Sequence, residues 1–438
     1  MAGQGGQGNA RRAGRSAIVL AGAMLVAAGL SACSDGGRSS TTTGPDTTTH
    51  HDTTTTTTTG IWARLAAGTT FTCGLTTHGI AYCWGQNRFG QLGDASTDSA
   101  SGFQRLKPVA VAGGLTFTTL VAGTSHACGL TASGAAYCWG ANGSGQLGDG
   151  STAAQRLSPT PVAGGLSFAS LTAGDVYTCG LTAAGGAYCW GDDDRGQLGD
   201  AASITGGDIH RPQPTQVFGG HIFANVTAGR RHTCGVTTAG AAYCWGDNSY
   251  GQLGDSTQFV RTEPRPVVGG LTFGSVSAGY QHNCGMTRGG AAYCWGEEYP
   301  GGFGAGAAPR CFPDQPGDGN EPCLMAPAAL AGTIAFVSLT PGRGFTCALR
   351  SNGAAYCWGY NVTGQLGNGT MDASTNYQAA TPTAVGGGLT FTSLTAGRQH
   401  ACGVTNTARA YCWGDNSTGQ LGDNSTSNRS SPVQVLSP

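Results

Sequence analysis

Lysine is almost absent from this chain: Lys107 is the only one in 438 residues, and charged side chains of every kind make up 10% of the sequence. The formal net charge is -1. A protein that tracks a phosphate backbone needs an excess of positive charge, so this balance argues against nucleic acid as a partner. Long apolar runs are missing too. The run from Ala17 to Leu30 is too short for a comfortable membrane span. No pair of cysteines has a second pair or a histidine at zinc-finger spacing, which disfavours the common structural metal sites. Finally, no constellation of nucleophile, acid and base recurs, so the expectation is a protein that is not an enzyme and carries no cofactor and no metal.

The apolar run follows Arg11, Arg12 and Arg15 and ends Leu30-Ser31-Ala32-Cys33. Residues 1–32 therefore read as an export signal. The ending resembles the lipobox of bacterial lipoproteins, and that resemblance implies diacylation of Cys33 with cleavage in front of it. Losing three arginines and no acid would change the formal charge from -1 to -4. Residues 33–60 hold the lipidated Cys and a low-complexity stretch with thirteen Thr between 41 and 59, which reads as a disordered linker. It could reach about 90 Å extended and about 30 Å as a coil. His50-His51 lies within it with no third ligand nearby. The expected location is a bacterial cell envelope, lipid-anchored outside the cytoplasm at the periplasmic face or the cell surface.

Glycine and cysteine are abundant, at 77 and 17 residues. Seven times a Cys is followed ten residues later by a second Cys that runs into Trp-Gly: Cys73/Cys83, Cys128/Cys138, Cys179/Cys189, Cys234/Cys244, Cys284/Cys294, Cys347/Cys357 and Cys402/Cys412. The first members lie 55, 51, 55, 50, 63 and 55 residues apart, a period typical of propellers and solenoids. With Cys311/Cys323 counted as an eighth pair, Cys33 is the one left over, and lipidation accounts for it. Eight pairs suit oxidation after export.

One repeat shows how the fold arises. His126 to Thr131 and Ala135 to Gly140 read as two strands joined by Ala132-Ser133-Gly134, a three-residue hairpin loop that wants Gly at its last position. Gly79, Gly134, Gly185, Gly240, Gly290 and Gly353 supply it; Ala408 stands there in the seventh copy. Centring the hairpin on Ser133 sets Cys128 opposite Cys138, within disulfide reach, and puts Tyr137 opposite Gly129 and Trp139 opposite Ala127. Metal ligation is the competing use of these cysteines, and disulfides are favoured over it. After each Trp-Gly comes a turn ending Gly-Gln-Leu-Gly, except in the fifth copy, which carries Gly301-Gly302-Phe303-Gly304. A further extended stretch such as Thr160-Pro161-Val162 makes about four strands per repeat, the count of a propeller blade. Because Ile61 to Leu65 lacks a preceding Pro-Val segment and Pro432 to Val435 ends the chain, the C-terminal strand is expected to complete the first blade.

The pattern Ala-Gly-x-x-His-x-Cys-Gly-Leu-Thr, then Gly-x-Ala-Tyr-Cys-Trp-Gly, then Gly-Gln-Leu-Gly, as at 122 to 148, resembles the regulator of chromosome condensation repeat family over residues 61–438. The resemblance implies an all-β, seven-bladed β-propeller; the Cys pairs, which read as one disulfide-stapled hairpin per blade, depart from the better-known intracellular members and look like an exported bacterial branch. The intracellular namesake is a nucleotide-exchange factor that also binds nucleosomes, roles that an exported acidic chain is not expected to share. Bacterial beta-lactamase inhibitory proteins on this scaffold offer another precedent, in which one face of the ring grips a protein.

Positions that repeat are assigned to the scaffold. Phe71, His126, Tyr177, His232, His282, Phe345 and His400 share one position, read as packing. Asp94, Asp149, Asp200, Asp255, Asn368 and Asp423 are read as caps of their own turns. Asp192-Asp193-Asp194-Arg195 resembles a cation loop only superficially and is read as a solvated turn. Positions that vary are freer to carry function. The pairs following each strand-ending Gly run Thr69-Thr70, Thr124-Ser125, Asp175-Val176, Arg230-Arg231, Tyr280-Gln281, Arg343-Gly344 and Arg398-Gln399. They should ring one channel mouth, where Arg230, Arg231, Tyr280, Arg343 and Arg398 form a basic, aromatic patch for an acidic protein or glycan at the cell surface. The insertion at 305–325, with Cys311/Cys323, is a second expected contact element. The resulting expectation is a monomeric, surface-tethered binding module. An inhibitor of a secreted enzyme and a propeller enzyme acting at the channel mouth are the alternatives.

Overall fold

The hairpin register follows from the turn glycines. In the second repeat Cys128 faces Cys138, Gly129 faces Tyr137 and Ala127 faces Trp139. The same ladder recurs in every repeat and brings each Cys pair into bonding range. Cys73–Cys83, Cys128–Cys138, Cys179–Cys189, Cys234–Cys244, Cys284–Cys294, Cys347–Cys357 and Cys402–Cys412 are all disulfides, with Cα–Cα separations of 4.0 to 4.1 Å. Disulfide formation thus prevails over metal ligation at these fourteen cysteines, and all of them are fully buried. The residue opposite each Trp is Ala or Thr, apart from Asn283 opposite Trp295. The six turn glycines sit at φ of 78° to 92°, and Ala408 adopts 56° in the same turn.

The computed structural model describes residues 61–97, 102–205, 209–298, 322–330, 332, 334–371 and 378–438. Signal, linker and Cys33 thus lie outside the described residues. Those described form 28 strands in seven four-stranded antiparallel sheets, each from one continuous stretch of chain. In the first blade these are β1 (Trp62–Ala67), β2 (Phe71–Thr76), β3 (Ala81–Gln86) and β4 (Gln104–Ala110). The first strand of each blade lies nearest the axis, where all seven strand ends line one cavity.

The C-terminal strand does not complete the first blade. Arg429–Gln434 is the outer strand of the seventh blade, with Val433 opposite Cys412. β1 already fills the inner place of the first blade, with Leu65 opposite Gly74. The Pro-Val segment belongs to the blade before it, so the first blade lacks nothing. The ring closes by side-chain packing and hydrogen bonds instead. Trp62, 3% exposed, packs with Val404, Leu421 and Val435 of the seventh blade, and its backbone N–H donates to the Ala408 carbonyl at 3.0 Å.

Neighbouring blades meet at one repeated joint. In five joints the Gln carbonyl of the Gly-Gln-Leu-Gly turn accepts the indole N–H of the next blade's Trp, as Gln91 does from Trp139 at 3.0 Å and Gln420 from Trp84 at 2.9 Å, whereas the buried indole N–H of Trp190 has no hydrogen-bond partner among the described residues. Thr72, Thr178, Thr233 and Asn283 donate to that same carbonyl in their joints. The Leu of the turn is fully buried. The closing Gly has positive φ, and a Cβ on Gly93 would lie 2.8 Å from the Trp139 ring. Two constraints therefore select Gly there.

Histidine completes the joint. His400 Nε2 lies 2.9 Å from Thr72 Oγ1, His126 Nε2 2.9 Å from Thr178 Oγ1, and His282 Nε2 3.0 Å from Thr346 Oγ1. His232 Nε2 lies 3.1 Å from Asn283 Oδ1. Since Thr72 and Thr178 spend their protons on the Gln carbonyl, and Asn283 Oδ1 is an acceptor only, Nε2 carries the imidazole proton in those joints. Burial holds these rings neutral, with pKa lowered to about 4 for His126, His232 and His400 and about 3 for His282.

Two outcomes are expected. Ala408→Gly should raise stability by about 1 kcal/mol in chemical denaturation, because it relieves a left-handed Ala while keeping the Ala408 carbonyl contact. Acid should destabilise the ring: below pH about 6.5 the unfolded chain protonates its histidines while the folded chain does not, so stability falls as pH drops from 6.5 towards 4. The loss is up to about 1.4 kcal/mol per pH unit for each histidine. His400→Phe, which installs the residue found at Phe71 and Phe345, should flatten that slope in thermal melts taken across this range.

Candidate functional site at the axial mouth

Each first strand ends in Gly, and the chain then turns outward into the second strand through two residues. A Cβ on Gly123 would lie 2.4 Å from the Gly174 carbonyl of the next blade, so Gly permits the close approach of neighbouring turns. Those turns are laced together by backbone hydrogen bonds: Thr124 N–H to Asp175 O at 3.2 Å, Asp175 to Arg230 at 3.2 Å, Arg230 to Tyr280 at 3.3 Å and Arg343 to Arg398 at 3.3 Å. The first residue of each pair consequently faces the axis. Thr69, Thr124 and Asp175 on one side, with Arg230, Tyr280, Arg343 and Arg398 on the other, line a shared cavity of about 100 Å³.

The second residue of each pair ties its turn to the third strand, as the Thr70 carbonyl does by accepting Gln86 N–H at 3.0 Å. Arg231 occupies this second position and does not line the cavity, in contrast to the expected patch. Its charge instead acts on Asp175 and Asp192. Consecutive residues of so short a turn cannot both face the axis.

Side chains link most of the mouth. Thr69 Oγ1 donates to Thr124 Oγ1 at 3.1 Å, and Thr124 Oγ1 to Asp175 Oδ1 at 2.8 Å. Arg230 Nε reaches Asp175 Oδ2 at 3.3 Å. The guanidinium carbons of Arg230 and Arg343 lie 4.6 and 4.9 Å from the Tyr280 ring centroid, within cation–π range. Arg398 is exposed and makes no side-chain ion pair or hydrogen bond among the described residues. Burial pushes the Asp175 carboxyl upward against the opposing pull of Thr124 and Arg230. Three arginines against one aspartate leave the mouth cationic, with the uncompensated charge on Arg343 and Arg398.

The other expected sites resolve into scaffold. The four histidines are blade joints. The cysteines of the seven hairpins, Cys83, Cys189, Cys244, Cys294 and Cys357 among them, are disulfides on the second and third strands. The turn carboxylates cap as expected, with Ser151 N–H on Asp149 Oδ1 at 3.0 Å. Five of them also hold an arginine from the fourth strand: Arg105–Asp94 at 3.3 Å, Arg156–Asp149 at 2.7 Å, Arg211–Asp200 and Arg261–Asp255 at 2.9 Å, and Arg429–Asp423 at 2.7 Å. Sequence reasoning missed that pairing, although a signal exists: Arg follows each Asp copy, and none follows Asn368 before the next repeat. Among the described residues no group of three or more His, Cys, Asp or Glu side chains is placed to hold a metal.

The expected insertion 305–325 lies mostly outside the described residues, as does Cys311. Cys323, disulfide-bonded and buried, opens the outer strand of the fifth blade opposite Glu297, so residues 323–325 belong to the sheet. The chain leaves at Glu298 and returns at Pro322, whose carbonyl accepts Glu298 N–H at 2.8 Å. Glu297 N–H in turn donates to the Gln281 carbonyl at 2.9 Å, which roots this excursion beside the Tyr280 turn.

Comparison with known proteins agrees with this architecture. Ultraviolet-B receptor UVR8 of Arabidopsis thaliana is 28% identical over 85% of this chain and 82% of its own length. E3 ubiquitin-protein ligase HERC2 of Homo sapiens is 28% identical over 80% of this chain, but the match spans 7% of the ligase, so its activity carries no argument here. Among solved structures, Prp20p from Saccharomyces cerevisiae aligns with a TM-score of 0.69 at 19% identity, over 83% of this chain and 87% of its own. Human WBSCR16 aligns with a TM-score of 0.69 at 19% identity, over 82% and 94%. These two show the fold. The regulator of chromosome condensation (RCC1) repeat matches residues 78–130, 133–181, 184–236, 239–286, 352–404 and 408–438, and a second family model of that description matches a segment in each of the seven blades. The chain belongs to the regulator of chromosome condensation (RCC1) repeat family.

Proposed function

We propose that this protein is a non-catalytic, partner-binding propeller of a bacterial cell envelope, anchored through a lipidated Cys33 and the linker at 33–60. Its axial mouth docks an acidic protein surface. One observation carries this reading: Arg230, Tyr280, Arg343 and Arg398 converge on a single cavity from positions where the seven copies differ. Arg and Tyr are residue types that anchor interfaces. The relatives support a role in interaction or regulation, since UVR8 is a receptor and the structural study of Prp20p describes its binding to Gsp1p and histones. The excursion rooted beside Tyr280 is proposed as a second contact element.

The test is affinity capture from envelope and medium with the full chain as bait. Arg343→Glu combined with Arg398→Glu should weaken capture at least about tenfold while leaving the melting temperature unchanged, because neither guanidinium holds a carboxylate of the scaffold. Capture that survives both changes would overturn the mouth as the docking site. Removal of residues 299–321 together with Cys323→Ala should spare folding and weaken capture; full capture by that variant would remove the excursion from the interface.

A further inference from the structure

The turn after the third strand is built alike in five blades, and the third blade departs from it at two places. In the first blade Asn87 Oδ1 accepts Leu92 N–H at 3.1 Å, while Asn87 Nδ2 donates to Asp94 Oδ1 at 3.0 Å and to the Ser96 carbonyl at 2.9 Å. Ser96 Oγ adds a further donor to Asp94 Oδ1 at 2.8 Å. Blades two, four, six and seven repeat the arrangement with Asn142, Asn248, Asn361 and Asn416. In the third blade the Asn is Asp193 and the Ser is Ala202.

The backbone does not change to accommodate them. Asp193 Oδ1 still accepts Leu198 N–H at 2.9 Å, Asp200 Oδ1 still accepts the N–H two residues on at 2.9 Å, and Ala201 has φ of 60° where Ala95 has 63°. Oδ2 of Asp193 therefore takes the place of the Asn amide nitrogen, facing Asp200 Oδ1 and the Ala202 carbonyl. Asp193 is fully buried, and Oδ2 has no hydrogen-bond partner. The amide and hydroxyl donors have been lost and a negative charge gained, so the two acceptor oxygens that the other blades satisfy with N–H and O–H groups meet a third oxygen here. Asp192 adds negative charge nearby, and Arg211 offsets part of it through Asp200 Oδ2.

We propose that the third blade binds a hard divalent cation through Asp193 Oδ2, Asp200 Oδ1 and the Ala202 carbonyl oxygen, with water completing its shell. Oxygen ligands of this kind suit calcium. A single proton on Asp193 would satisfy one of the two acceptors that the Asn amide serves, whereas a cation satisfies both. Burial first, then the neighbouring Asp200 and Asp192 charges, push the Asp193 carboxyl up to about 7 against the opposing pull of the Leu198 N–H and Arg211. The cation would lock the turn whose Gln197 carbonyl receives Trp245 and Thr233 of the fourth blade.

Calorimetric titration of the full chain with calcium chloride at pH 7.5, with thermal melts in calcium and in chelator, tests this. The expected result is one-to-one binding and a melting temperature raised by calcium. Asp193→Asn, which restores the residue of five other blades, should bind calcium at least about tenfold more weakly and lose the calcium dependence of its melt. Asp200→Asn, which copies the Asn368 of the sixth blade, should do the same. No heat and no thermal shift in the parent protein would overturn the proposal, as would undiminished binding in both variants. So would a chelator-treated protein whose stability rises on acidification through pH 7 with calcium inert, because the bridging group would then be a proton.

Discussion

The ring depends on one buried carbonyl in each of six blades. In three joints, those of Gln420, Gln197 and Gln252, the Gln oxygen of the Gly-Gln-Leu-Gly turn takes both an indole N–H and a hydroxyl or amide from the next blade. Two donors on one acceptor use both of its lone pairs. The Leu beside it is sealed from water, and the Gly after it lies against the Trp ring. A blade by itself would leave its Trp and this carbonyl exposed, so each sheet is completed by its neighbour, as in other repeat architectures. The seam between the seventh and first blades uses the same groups, through Gln420, Trp84, Thr72 and His400. No shared strand is required for closure, because the joint that fastens adjacent blades also fastens the ends.

That joint accounts for most of the residues that resemble reactive chemistry. Each of His126, His232, His282 and His400 is a buried neutral ring bonded across the joint, and its replacement by Phe71 or Phe345 removes that hydrogen bond while keeping the ring that packs over a strand-ending Gly. The disulfides fasten the second and third strands of a blade to each other and leave the joints to hydrogen bonding and packing. The Asp–Arg pairs fasten the turn to the fourth strand. With those roles subtracted, the variable turn at the axis still holds Arg343 and Arg398, which pair with no carboxylate among the described residues.

How much can be read from the sequence follows the range of each interaction. The Cys128/Cys138 pairing, the strain at Ala408 and the Tyr137–Gly129 contact are all set within one hairpin, and the sequence contains everything needed to place them. The seven-fold count and the convergence of the Arg230, Tyr280, Arg343 and Arg398 turns follow from repetition. Closure is not legible in the same way, because the outer strand of one blade and the inner strand of the next are contiguous in sequence, and only sheet pairing assigns Val433 to the seventh blade. Arg231 pairs with Arg230 in sequence but not in space, since adjacency hides opposite side-chain directions in a tight turn. The Gln carbonyl is invisible for a different reason: a backbone acceptor has no sequence signature, and the Gln side chain points elsewhere, to a backbone N–H two residues before it.

The proposed docking role rests on how charge is held at the mouth. Elsewhere on the scaffold the fourth-strand arginines of five blades each meet a carboxylate within 3.3 Å. At the mouth, Arg230 and Arg343 share one Tyr280 ring, and of these two Asp175 pairs with Arg230. Holding like charges around one ring opposes the cation–π attraction that places them there. An incoming carboxylate would relieve that repulsion and would meet guanidinium groups already oriented by stacking, so little side-chain entropy would be lost on docking. The backbone lacing of the turns fixes the spacing of these groups from blade to blade. A ring built on one repeated scaffold thus presents at its axis an asymmetry of charge, while the backbone geometry of the turns is kept from blade to blade.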